Sequence, residues 1–154
     1  MLNKDHMSTT VRQAVLSDIE ALAPLFDSYR QFYGLNSDLQ AAREFLVERF
    51  NHGESTLFIA HEGESAVGFS QLYPSFSSAS LSRTLILNDL FVSEDHRGKG
   101  VGKMLITAVI DFAKAIGATR VTLATGTDNT AAQALYRSCD WKRDEQFVVY
   151  HYHI

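Results

Sequence analysis

The stretch DHRGKGVGKML, Asp95–Leu105, decides how this chain is read. Glycines stand at 98, 100 and 102, with Arg97, Lys99 and Lys103 set among them. Glycine permits positive φ and lets backbone approach a ligand with no Cβ in the way. Upstream, RTLILNDLFV (Arg83–Val92) is apolar for most of its length, as a central strand should be. Downstream, Val101, Leu105, Ala108, Phe112 and Ile116 recur at helical spacing, and Gly117 predicts the stop. The glycines therefore fall between a buried strand and a helix start. Helix N-termini carry unpaired N–H groups and partial positive charge, and successive N–H groups in a glycine loop form an anion-binding nest. The stretch predicts a phosphate site.

Two common phosphate motifs do not fit. A P-loop, G-x-x-x-x-G-K-[ST], counted back from Gly102 and Lys103, needs glycine at 97 and a hydroxyl at 104, where Arg97 and Met104 stand. A dinucleotide fingerprint, G-x-G-x-x-G, needs its third glycine one residue later and an N-terminal position in the chain.

The rest of the composition narrows the classes. At 154 residues the chain suits one domain with a real core, read here as 8–154, with residues 1–7 frayed. A net charge of −4 argues against nucleic acid as a partner. No apolar run approaches the roughly 20 residues of a membrane span, and the start, MLNKDHMSTT, is too polar for a signal peptide. The single cysteine, Cys139, excludes an internal disulfide and a multi-cysteine zinc site, and reads as cytoplasmic. His151 and His153 share a face of the closing HYHI, but two ligands make no metal site.

Periodicity orders the elements. TVRQAV predicts a strand. SDIEALAPLFDSYRQFYG predicts a helix opened by a Ser17/Glu20 capping box, with Ile19, Leu22, Phe26 and Tyr29 as its apolar stripe. A second helix is expected over about Ser37 to Asn51. STLFIAHE and SAVGFSQLYP read as a hairpin, and PSFSSASLSR (Pro74–Arg83) as a loop between strands. RVTLAT is a strand, DNTAAQALYRS a helix capped by Asp128 or Asn129, and EQFVVYHYHI a closing strand. The result is one α/β layer structure on a mixed sheet.

Two stretches carry a family resemblance. LNDLFVSEDHRGKGVGKML resembles the central motif of the GCN5-related N-acetyltransferases, [QR]-x-x-G-x-[GA], here Arg97-Gly98-Lys99-Gly100-Val101-Gly102, with Val92 five residues before it. NTAAQALYRSCDW is similar to the family's following motif, through Asn129, Ala132, Leu135, Tyr136 and Trp141. Asp140 departs from it, standing where the family usually has glycine. The element order also follows the family's. The resemblance implies an α/β GNAT fold: a mixed, mostly antiparallel twisted sheet of six to seven strands with about four helices on its faces.

It further implies an enzyme that moves an acetyl group from acetyl-coenzyme A to an amine, by direct attack in a ternary complex and with no metal. The glycine loop, Arg97–Lys103, would hold the pyrophosphate. Backbone around Leu90, Phe91 and Val92 would pair with the pantetheine arm, and an N–H near Leu90 would face the thioester oxygen. Tyr136 would protonate the leaving thiolate, though it also falls on a packing stripe. Asn129 would cap its helix, contact the cofactor, or both. Asp89, a carboxylate in an apolar run, is the candidate base, with Glu94 an outside candidate. The same stretch resembles polyamine and thialysine acetyltransferases, which read E-D where this chain has Asn88-Asp89. Tyr33, Gln71, Tyr73, Phe76 and Asn88 are the candidate wall for a small amine. A protein or peptide amine as acceptor, and a non-catalytic acyl-coenzyme A binding module, are the alternatives. In the family the final strand often pairs across a homodimer.

Overall fold

The computed structural model describes residues 8–154, so the expectation for residues 1–7 lies outside the described part. The chain forms two compact units, one closing at Ala124 and the other running from Thr125 to Ile154.

The first unit is built on a five-stranded sheet in the order β1-β2-β3-β4-β5. Its strands are β1 (Thr9–Gln13), β2 (Thr56–Glu62), β3 (Ser65–Ser77), β4 (Ser82–Val92) and β5 (Val121–Thr122). The first four pair antiparallel and β5 joins β4 in parallel, so the sheet is mixed and mostly antiparallel. Helices α1 (Ile19–Phe32) and α2 (Leu39–Asn51) pack Leu22, Phe26, Ala42 and Leu46 onto Leu57, Ile59, Phe69 and Phe91. Side chains alternate across a strand, so Phe58 faces the opposite side. There it meets Phe112 of α3 (Val101–Ala115), with ring centres 5.8 Å apart. Gly68 lets α3 come close: a Cβ there would lie 2.9 Å from Phe91 O and 3.3 Å from Leu105 Cδ1.

Several expectations are corrected. The Ser17/Glu20 capping box does not open α1. Residues Leu16–Asp18 form a 3-10 turn, and it is the Asp18 carboxylate that accepts from Val15 N–H at 2.7 Å, held by both terminal nitrogens of Arg12. A carboxylate already fixed by a bidentate arginine is the stronger acceptor. The polar run Pro74–Arg83 is mostly strand: β3 and β4 stay paired to Ser77 and Ser82, leaving only Ser78–Leu81 as turn. The sheet has five strands among the described residues rather than six or seven. The closing EQFVVYHYHI has strand composition but forms no strand, because a strand is made by a ladder partner and this segment has none among the described residues.

The second unit holds α4 (Thr130–Ser138), capped by the Asn129 side chain, which accepts from Ala132 N–H at 3.2 Å. α4 ends in a Schellman motif: Asp140 N–H donates to Arg137 O and Trp141 N–H to Tyr136 O. α3 ends in the same way through Gly117 and Ala118. At the left-handed position, α3 has glycine at φ 74°, while α4 has Asp140 at φ 64°.

Candidate active site

The site starts from an irregularity in β4. Gln71 pairs with Asp89 and Leu72 with Leu87, so Asn88 is an extra residue on β4, a β-bulge. The bulge changes which way the backbone points. Ser93 N–H donates to Val67 O across to β3. Antiparallel pairs alternate between bonded and non-bonded, so Phe91 and Asp89 also direct their N–H groups at β3, while Leu90 and Val92 turn theirs away. On that far side β5 pairs only with Leu85 and Ile86. Past Ile86, the β4 edge that carries the Leu90 and Val92 N–H groups has no paired strand among the described residues.

That edge runs directly into the glycine loop. Glu94–His96 make a 3-10 turn, pinned by a Ser93 Oγ–His96 Nδ1 bond of 2.9 Å and a His96–Glu62 contact of 3.3 Å. Arg97 N–H bonds Glu94 O at 3.3 Å. Gly98 and Gly100 take φ of 73° and 84°, a region other residues enter at a cost, and Gly100 is the N-cap of α3. The first N–H after Arg97 with a partner is that of Met104, on Gly100 O at 3.1 Å. Among the described residues, the N–H groups of 98–103 have no acceptor. The exposed side chains of Lys99 and Lys103 flank them. Unpartnered donors at a helix start suit a phosphate, so the residues present fit the pyrophosphate of coenzyme A.

A polar cluster lies on β3 and β4 beside the bulge. Asp89 is only 2% exposed and Gln71 fully buried. The Gln71 amide donates to Asp89 Oδ2, and Asn88 Nδ2 donates to Asp89 Oδ1 at 2.8 Å. Burial pushes the Asp89 carboxyl up, against the pull of the Gln71 and Asn88 hydrogen bonds and of the nearby Tyr29 hydroxyl. An ionised carboxylate only accepts, so it fixes the amide with nitrogen toward it. Gln71 Oε1 is then buried with no donor among the described residues. Tyr29 donates to Asn88 O at 3.3 Å. Burial, and then the charge of Asp89, raises both the Tyr29 and Tyr73 hydroxyls, the latter to about 12. Tyr33, half exposed after the end of α1, stands edge-on to Tyr29 at 5.0 Å.

The structure thus brings together Gln71, Tyr73, Asn88 and Asp89, and reaches Tyr33 through Tyr29. Phe76 lies apart at the tip of the β3–β4 hairpin, under Arg83. Glu94 is exposed in its turn. Tyr29 was missed by sequence reasoning, which counted it into the core stripe of α1. The available signal was a hydroxyl-bearing residue near the C-terminal end of that stripe. In the second unit, the Tyr136 ring meets Trp141 at 5.8 Å, the apolar contact that accompanies a Schellman cap. Among the described residues no three His, Cys, Asp or Glu side chains converge as metal ligands, and no helix is long and apolar enough to cross a membrane.

Comparison with known proteins gives the family and the fold. The model of the Acetyltransferase (GNAT) family matches residues 20–141. An uncharacterized N-acetyltransferase of Bacillus subtilis, YhfO, is 47% identical over 140 residues, covering 91% of this chain and 94% of its own. The crystal structure of a probable acetyltransferase superposes with a TM-score of 0.89 at 39% identity, over 94% of this chain and 97% of that one. The aminoglycoside N-acetyltransferase AAC(6')-Iy, in complex with CoA, shares the fold with a TM-score of 0.83 at 20% identity, over 99% and 100% of the two chains.

Proposed function

Since this chain belongs to the GNAT acetyltransferase family and is an acetyl-coenzyme A-dependent acetyltransferase, we propose that it acetylates the primary amine of a small molecule by direct attack in a ternary complex. The observation that carries the reading is the junction of two donor sets with no backbone acceptor among the described residues: the N–H groups of 98–103 and the β4 edge at Leu90 and Val92. The first suits a pyrophosphate. The second suits an extended, amide-bearing arm that adds to β4 as a strand would, along Leu90, Phe91 and Val92. Acetyl-coenzyme A supplies the activated acyl group. Leu90 N–H is the proposed donor to the thioester carbonyl, where a fixed donor is worth about 3–4 kcal/mol as negative charge develops.

Asp89 is the proposed base. Burial raises its carboxyl toward the range where accepting a proton from the amine is effective. Gln71, Asn88, Tyr33 and Tyr73 are proposed to wall the acceptor. Tyr136 as the acid toward the thiolate, and Asn129 as a cofactor contact, rest on the motif match alone. The family match running from residue 20 to 141 supports 8–154 working as a single acetyltransferase domain, and the single cysteine supports a cytoplasmic setting. Phe147, Val149, Tyr150 and Tyr152 are all exposed, which supports a homodimer that covers them; light scattering reads the mass.

The test is a thiol-release screen with acetyl-coenzyme A over polyamines, amino acids, aminoglycosides and peptides. Release with a small amine supports the proposal. Release with peptides alone moves the acceptor to proteins, and release with none moves the chain to a binding module.

A further inference from the structure

Arg97 opens the glycine loop, yet its guanidinium is engaged elsewhere. Its Nε donates to Val92 O at 2.8 Å, at the open end of β4. The guanidinium carbon lies 5.4 Å from the centre of the Phe91 ring and 5.5 Å from that of Phe32. Phe91 is buried in β4, whereas Phe32 is the last residue of α1 and 57% exposed. One planar cation therefore ties the end of β4, the first residue of the loop and the end of α1. From Phe32 the contacts continue: its ring meets Tyr33 at 5.4 Å, Tyr33 meets Tyr29, and Tyr29 donates to Asn88 O beside Asp89. The guanidinium suits this post because it stacks on ring faces while its Nε–H stays free to donate, which a lysine ammonium cannot reproduce.

We propose that Arg97 is a positioning residue through which coenzyme A, bound at the loop, fixes the aromatic end of α1 that walls the acceptor. The inference rests on the reading of the loop as the pyrophosphate site. The backbone of residues 98–103 has unpartnered donors, so an anion bound there restrains the loop that Arg97 begins. That restraint passes to Phe32 and Tyr33 through the side chain. Lysine at 97 keeps the charge and loses the tie.

Hydrogen exchange of the whole chain, with and without saturating coenzyme A, tests it in wild type, Arg97→Lys, Phe32→Leu and the double variant. Phe32 is exposed enough that its replacement leaves the core intact. In wild type, coenzyme A slows exchange both in the loop and at residues 30–36, the latter by at least about fivefold. In each single variant the loop stays protected at saturation while the change at 30–36 disappears, and the double variant behaves like either single one. Two results overturn the proposal: protection at 30–36 that survives Arg97→Lys, or a wild type protected in the loop alone. A coenzyme A Kd that rises about tenfold in Arg97→Lys, with the α1 response intact, assigns the guanidinium to the phosphates instead. No protection anywhere removes the loop reading itself, and this inference with it.

Discussion

Gln71 and Asp89 face one another across β3 and β4, both buried, and the amide of the first donates to the carboxylate of the second. The pair makes the pH dependence of the enzyme testable. As the proposed base, Asp89 must be ionised to take a proton, and burial has raised its carboxyl. Activity therefore falls with acid above the ordinary carboxylate range. Asp89→Asn flattens this rising limb of the pH–rate profile. Gln71→Leu removes a hydrogen bond that lowers the Asp89 carboxyl, so the limb moves to higher pH. A profile unchanged in both variants removes Asp89 as base.

Gly100→Glu is expected to abolish coenzyme A binding, because a carboxylate would meet the pyrophosphate at its proposed place by the N-cap of α3. Any side chain there also bears the strain of φ 84°. Gly100→Ala carries that strain without the charge and is the control. Calorimetric titration of both separates the effects: the alanine variant binds within about tenfold of wild type, a loss of roughly 1 kcal/mol, and the glutamate variant does not bind.

Tyr136→Phe keeps the ring that packs on Trp141 and loses only the hydroxyl. The proposed acid role predicts a drop in turnover of about 100-fold or more with coenzyme A affinity unchanged, the mark of a group acting on the leaving thiolate. Equal turnover would leave Tyr136 as packing.

Asp140→Gly stabilises the chain by about 1 kcal/mol, since a left-handed residue with a Cβ is strained and α3 ends on glycine in the same motif. Urea denaturation reads this as a higher midpoint with the same slope. A lower midpoint would mean that the aspartate side chain contributes more than its strain costs.

What could be read in the sequence was whatever single residues encode. Gly98 and Gly100 announce positive φ, and the loop forms where they stand. Asp140 in a glycine position announces a left-handed cap under strain, and φ 64° agrees. What could not be read depends on partners. The bulge at Asn88 belongs to the pairing of β3 with β4, yet it is what turns Leu90 N–H to the open edge. Tyr29 follows the apolar stripe of α1, and only the fold brings its hydroxyl to Asn88 O. Ser17 and Glu20 match a capping box, but Arg12, six residues before Asp18, orients that carboxylate into the role. The closing FVVYHYHI has every mark of a strand except a pairing partner among the described residues.

The most direct test of the central claim is thermal melting of the purified protein with coenzyme A, acetyl-coenzyme A, ATP and NAD in parallel. A ligand that binds only the folded state raises Tm. Stabilisation by the two coenzyme A species alone is the expected result. Stabilisation by ATP or NAD instead, or by none of the four, would contradict the assignment of the loop.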